Sequence, residues 1–269
     1  MMGMIFMKRF FLLMAGIFIL ASCSKDTDNG STPDPIDRSA NLLATGDSAN
    51  DILSNDTYDR LLIEIGYVTG FRPSAEAMNN FQAFLQQLTF KQDIEIQYLE
   101  LPSPGKNELS LQEIADLEFD NRTAYNEGST LAIYIYFSDA PSDTDDPQEG
   151  TVTLGAVYRN TSMVIYEATV RDIALKSSQV TIEDVETATL NHEFGHLLGL
   201  VDLGTPPVNA HEDPNAEHHC DIDGCLMRAE IEFGSGLLGA MNKRMLAGKG
   251  AVPGLDSECI TDLQANGGR

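Results

Sequence analysis

The most constraining feature of the sequence is a helical pattern that contains two histidines one turn apart. It begins at Thr181, an N-cap residue followed three positions later by an acidic partner, and it runs without Pro or Gly as far as Gly195. Within it lies the segment HEFGH at residues 192–196. Because side chains four residues apart lie on one face of a helix, both imidazoles can reach one metal ion.

This spacing predicts a catalytic metal site with an acidic residue beside it. Two neutral imidazoles hold Zn²⁺, and the ion lowers the pKa of a water toward roughly 7. A carboxylate next to the open position of the metal takes the proton from that water and later delivers it to a leaving amine. We therefore expect His192 and His196 to bind one zinc ion and Glu193 to act as the general base.

Two further features extend the pattern and point to a family. The segment continues as HEFGHLLGLVD, which adds Gly199 and Asp202, and Cys-Leu-Met follows at residues 225–227. Over residues 181–228 the sequence resembles the metzincin clan of zinc peptidases, whose pattern is HExxHxxGxx followed by His or Asp and a later Met in a tight turn beneath the metal. The resemblance implies a zinc-dependent endopeptidase in which Gly199 turns the chain out of the helix and Met227 forms an apolar floor.

The third metal ligand has two candidates. Asp202 lies six residues after His196, the usual metzincin position. His219 directly precedes Cys220 in a segment that resembles the archaemetzincin string His-Cys-x4-Cys-x-Met, but residues 202–218 are inserted relative to that string. We expect Asp202 to be the ligand because it needs no loop closure, and His219 is the alternative.

The remaining cysteines and histidines surround the Met turn. We expect Cys220 and Cys225 to form a disulfide that closes a small loop, which an oxidising, exported compartment permits. Ligation of zinc by these two thiolates is the alternative, and Cys259 is either unpaired or the partner of one of them. His211 and His218 are interpreted as exposed loop residues.

The N-terminal end of the chain predicts export and a lipid anchor. Residues 1–22 have the charged and apolar regions of a signal peptide, and the apolar run is too short to span a bilayer. Leu20-Ala21-Ser22-Cys23 matches the bacterial lipobox, in which Cys23 is acylated. We expect an exported bacterial lipoprotein of the outer membrane, on its periplasmic or cell-surface side, with residues 23–55 as the lipidated Cys and a flexible linker.

From residue 56 onward, strand-like and helix-like patterns alternate. The resemblance implies a metzincin-like α+β fold, with a mixed twisted sheet, backing helices, an N-terminal subdomain at 56–199 and a small C-terminal subdomain at 200–269. It also implies that the hairpin strand near 151–158 pairs with an extended substrate by strand addition, although the sequence does not decide which of the two hairpin strands does so. We predict strands over 60–68, 93–101, 131–137, 151–158 and 162–170, and helices from Pro73 and over 111–125, 235–246 and 258–264.

Charge limits the partners of the protein. With 17 Lys plus Arg against 41 Asp plus Glu, the chain lacks the basic clusters that bind nucleic acid or anionic membranes. We expect a monomer that contacts the membrane only through its lipid and whose partner is a peptide or protein substrate. The acidic loop at 138–150 offers oxygen ligands for calcium but lacks the spaced pattern of a calcium loop; these ligands are Asp139, Asp143, Asp145 and Asp146.

Two other functions are compatible with the same motif. One is a non-catalytic surface binding module that keeps zinc for structure. The presence of Glu193 argues against it, because a structural zinc site is closed by four ligands and needs no base. The other is a zinc hydrolase that acts on a small amide or a cell-wall peptide, since the sequence does not define the shape of the pocket.

Overall fold

A mostly parallel five-stranded sheet with helices on both faces forms the centre of the computed structural model, which describes residues 36–146, 151–234 and 236–269. The strands of this sheet are β1 (Arg60–Val68), β2 (Asp93–Leu101), β3 (Thr130–Phe137), β4 (Gly155–Arg159) and β5 (Ser162–Ile165), and a separate hairpin consists of β6 (Glu212–Asp213) and β7 (Ala216–Cys220). The helices are α1 (Ala49–Leu53), α2 (Ala75–Leu88), α3 (Leu111–Asn121), α4 (Glu167–Ala174), α5 (Ile182–Leu197), α6 (Ala229–Glu232), α7 (Leu237–Leu246) and α8 (Ser257–Ala265), with a short 3₁₀ helix at Ser39–Asn41.

The strand order is β2-β1-β3-β5-β4, and only β4 runs antiparallel to its neighbour. Strand β3, predicted from a nearly continuous apolar run, is buried from Leu131 to Phe137 because both of its faces are covered. Strand β4 lies at one edge of the sheet and, among the described strands, pairs on one side only. An edge strand of this kind can accept an additional strand.

Helices α2 and α5 form the larger core with one face of the sheet. The rings of Phe81 and Phe194 pack edge to face, with their centroids 5.2 Å apart. Helix α5 is buried on all sides, since every residue from Val185 to Leu197 is buried, and it therefore lacks a polar stripe. On the opposite face, Ile114 of α3 packs into a smaller cluster with Tyr134 and other residues of the sheet.

These elements confirm several of the strands and helices predicted from the sequence. Two of the predicted strands are wrong in part. The strands predicted at 60–68 and 93–101 are β1 and β2. The strand predicted over 162–170 ends at Ile165, because the following apolar side chains recur at helical spacing and are buried in α4. The strand predicted at 151–158 begins only at Gly155.

Residues 36–55, which we assigned to the linker, belong to the folded unit that extends to Arg269. Ile52 and Leu53 are fully buried, and the Asn41 side chain donates hydrogen bonds to Ala132 O and Thr161 Oγ1. The polar composition of the segment concealed this packing, because only a few of its side chains enter the core.

The predictions for the signal peptide and for acylation of Cys23 lie outside the described residues. Among the residues that the structure describes, no helix combines the length and the apolar character needed to cross a bilayer.

Candidate metal centre

Helix α5 holds the HEFGH segment in the buried interior. Its start is confirmed: Thr181 Oγ1 accepts a hydrogen bond from the Asp184 amide at 3.2 Å, and Asp184 Oδ2 accepts one from the Thr181 amide at 3.0 Å. Near its C-terminal end the imidazoles of His192 and His196 lie on one face, with ring centroids 4.8 Å apart. The helix therefore places the two imidazoles side by side on one face, as predicted from their spacing.

Two glycines shape the chain around this helix. Gly199 has a φ of +78°, and the chain turns away from the helix there. At Gly195 a Cβ would lie 2.3 Å from the sulfur of Met227, so the absence of a side chain lets Met227 pack against the helix. Met227 is fully buried next to the segment that carries both imidazoles.

Replacement of Gly199 by Ala is expected to lower the free energy of unfolding. A methyl group at this position would lie 2.3 Å from Thr205 Oγ1 and 3.0 Å from Ala49 Cβ. The left-handed backbone alone costs about 1–3 kcal/mol for a residue with a side chain. Urea unfolding measures the loss, with Gly239→Ala as control, because a Cβ at Gly239 of α7 meets no atom within 4 Å. Equal stabilities of the two variants would contradict the role of the turn.

The hairpin of β6 and β7 brings a third histidine to the helix. The ligand atoms of His192, His196, His219 and Glu232 all lie within 4.8 Å of one another. Asp202 is exposed, has a φ of +59° and lies outside this group. The position of Asp202 does not agree with our expectation that it is the third ligand. The inserted residues instead loop out, and the chain returns to the helix at His219.

Backbone carbonyls orient two of the imidazoles. His192 Nδ1 donates to Leu226 O at 2.8 Å, and His219 Nδ1 donates to Glu217 O at 2.9 Å; both tautomers are assigned from these acceptors. This arrangement turns the Nε2 lone pairs of both rings toward the cluster. Burial lowers the pKa of His196 to about 4, which favours the neutral imidazole that binds a metal. Converging lone pairs fit a cation at their centre.

Glu193 is fully buried beside the three imidazoles. Neither of its carboxylate oxygens has a hydrogen-bond partner among the residues that the structure describes. Burial, and after it the negative charge of Glu232, raises the pKa of Glu193 well above its usual value. A buried carboxyl group without partners is costly, so its retention fits a group that acts on a bound molecule.

A cavity of about 410 Å³ opens onto this cluster. Its lining includes Glu193 and His196 of α5 as well as Ala156 and Val157 of the edge strand β4. An extended chain lying along β4 would therefore pass the carboxyl group and the imidazoles.

Glu232 is a site residue that the sequence analysis missed. It lies at the end of α6, and its Oε2 is 2.7 Å from His219 Nε2 and 3.8 Å from the Nε2 atoms of His192 and His196. No regular spacing connects it to the helix motif. Its only signal in the sequence is an acidic residue shortly after Met227, and that signal is too common to identify a ligand.

A second group of potential metal ligands lies behind the Met turn. The ligand atoms of His211, Cys220, Asp256 and Cys259 lie within 4.8 Å of one another, and Cys225 Sγ is 3.7 Å from Cys259 Sγ. All three cysteines are free thiols, so the predicted disulfide between Cys220 and Cys225 is not formed.

The interpretation of His211 as an exposed loop residue is also wrong, because it is only 2% exposed. His211 Nε2 donates to Asp262 Oδ2 at 2.7 Å, which leaves Nδ1 facing Cys220 Sγ at 3.4 Å. His218, in contrast, lies on β7 with 38% of its side chain exposed.

The described residues of the acidic loop do not form a comparable group. Asp145 Oδ1 accepts a hydrogen bond from the Thr153 amide at 2.8 Å. Among the described residues, the four aspartates of the calcium prediction belong to neither group of converging ligand atoms, and residues 147–150 of the loop lie outside the description.

Comparisons with known proteins give a match in structure alone. No family model and no curated protein matches the sequence. Among solved structures, the chain is similar to archaemetzincin from Methanopyrus kandleri, with 15% sequence identity and a TM-score of 0.46, over 78% of this chain and 96% of that chain.

Proposed function

We propose that the protein is a zinc-dependent endopeptidase. His192, His196 and His219 would hold the ion, and Glu193 would act as the general base. One observation carries this proposal: three imidazoles from a helix and a hairpin converge beside a buried carboxyl group that has no hydrogen-bond partner among the described residues. Imidazole nitrogens are typical ligands of catalytic zinc.

The bound ion and Glu193 would have different roles in peptide hydrolysis. When bound, zinc supplies a Lewis acid that polarises a carbonyl and lowers the pKa of a water toward roughly 7. The positive charge of the bound ion would oppose the raised pKa of Glu193 and keep the group ionised, so that a carboxylate oxygen could accept a proton from the attacking water and deliver it to the leaving amine. Burial excludes bulk solvent from this carboxyl group, which strengthens its interaction with the reacting atoms.

An extended peptide is the substrate that the cavity fits best. Ala156 and Val157 of β4 line the same cavity as Glu193, and the edge of β4 offers backbone donors and acceptors for an added strand. Such pairing would place the peptide bond beside Glu193 without requiring a particular side chain. The sequence resemblance to metzincins agrees with this mode of binding.

The third ligand is tested by two substitutions. His219→Ala is expected to weaken zinc binding by about tenfold or more, whereas Asp202→Asn leaves it unchanged. Asn is chosen because it tolerates the positive φ of residue 202, so the backbone is not strained. The zinc affinity of each variant, measured by competition with a chelator, distinguishes His219 from Asp202 as the third ligand. Unchanged affinity in His219→Ala, or lost affinity in Asp202→Asn, would contradict the assignment.

We also propose that the second group binds a structural metal ion. His211, Cys220 and Cys259 offer one nitrogen and two sulfur ligands, and Asp256 or Cys225 completes the set. Hydrogen bonds from Cys220 and Cys259 lower the pKa of Cys225 to about 5 and raise the pKa of both donors, so one of the three coupled thiols ionises readily. Export as a lipoprotein anchored through Cys23 remains part of the proposal, and a bound metal would protect these thiols from oxidation outside the cytoplasm.

A non-catalytic zinc module is the second candidate function. Glu232 favours it, because this carboxylate gives the histidine cluster a fourth protein group, and structural zinc sites are closed by four ligands. The buried carboxyl group of Glu193 argues against it. Cleavage of a peptide library by the zinc-loaded protein discriminates the two functions.

A further inference from the structure

One carboxylate oxygen lies among the three imidazoles of the histidine cluster. Glu232 Oε2 is 2.7 Å from His219 Nε2 and 3.8 Å from each of the other two Nε2 atoms. The carboxyl group is therefore aimed at the point where the three imidazole nitrogens converge.

The segment that carries Glu232 is short, and Ile231 anchors it in the larger core. Helix α6 has four residues, and the glycines that follow at 234 and 236 have φ values of +61° and +95°. Glu232 O accepts a hydrogen bond from the Leu154 amide at 2.7 Å, and Phe233 packs near the ring of His219. Glycines in this conformation can serve as hinge positions.

We propose that Glu232 is a fourth protein ligand of the zinc ion, and that it occupies the position that the attacking water requires. This inference rests on the proposed function. Three imidazoles and one carboxylate would give the ion four protein ligands, the number found in closed structural sites, and would leave no open position for catalysis. The folded enzyme is therefore latent, and residues 229–234 must move before Glu193 can act.

The substrate itself is placed to open the site. Leu154 directly precedes β4, so the hydrogen bond that holds Glu232 O begins at the end of the strand on which a peptide would pair. Phe233 and Glu232 line the same cavity as Ala156 and Val157. A peptide that fills this cavity competes with the closed position of Glu232, and its binding shifts the population toward the open form.

The test measures whether the bound metal ion has an open coordination position to which an added ligand can bind. The full-length protein is loaded with Co²⁺ and titrated with azide while the visible absorption spectrum is recorded. We expect no shift in the wild type and a clear shift in Glu232→Gln, with a zinc affinity lowered by about tenfold or more in the variant. Glu230→Gln is the matched control, because Glu230 lies on the same helix but pairs with Arg228 instead of the cluster.

The outcomes separate this inference from the proposed function. A wild-type spectrum that shifts with azide as strongly as that of Glu232→Gln would overturn the inference and leave the zinc peptidase intact. A wild type without metal at the histidine cluster would overturn both. The wild-type titration needs no variant, so a failure of Glu232→Gln to fold does not remove the test.

Discussion

Glu193→Gln is expected to lose nearly all peptide cleavage while keeping its zinc. The side chain keeps its size but can no longer accept a proton, and loss of a general base typically costs about 10²–10⁴-fold in rate. Zinc is expected to remain bound because the proposed ligands are the three imidazoles, and Glu193 is not among the converging ligand groups. The measurement combines cleavage of a fluorogenic peptide library with elemental analysis of the purified variant.

The control for this experiment lies on the same helix. Glu183→Gln removes a carboxylate from the first turn of α5, far along the helix from the imidazoles, and should retain wild-type cleavage. Undiminished activity in Glu193→Gln would exclude the proposed mechanism. Loss of zinc together with activity would show that the carboxylate supports metal binding instead of proton transfer.

Cys259→Ser is expected to remove one of two bound metal ions and to lower the melting temperature strongly. Structural zinc contributes about 10 kcal/mol or more to the folding of small domains. Even a third of that value would lower the melting temperature by about 10 °C, because each kcal/mol shifts it by about 2–4 °C in a domain of this size. The wild type should lose the same stability when a chelator removes the ion.

Two measurements check this expectation. Elemental analysis should give about two zinc ions in the wild type and one in Cys259→Ser, and the Co²⁺-loaded variant should lose intensity in its thiolate-to-cobalt absorption. Ser257→Ala, at an exposed position of α8, is the control. A variant with unchanged metal content and unchanged melting temperature would show that the cluster is held together by thiol hydrogen bonds alone.

Local patterns predicted much of the fold. The strand predicted from the β-branched and aromatic content of β1, the strand predicted from the alternation of β2, the capping box at Thr181 and the helix that follows it are all confirmed. These features depend on neighbours within a few residues, so they are readable from the chain. The prediction failed over 166–170, where apolar residues fit both a strand and a helix and burial against α5 selected the helix.

The residues of the candidate metal centre also differ in how far the sequence determined their placement. The spacing of His192 and His196 on one helix was determined by the sequence, because four residues make about one turn. The approach of His219, Glu232 and the second ligand group depended on how the hairpin and α6 fold back onto that helix. The entropy of closing a loop grows only slowly with its length, so the short route to Asp202 had little advantage over the longer route that packing favours.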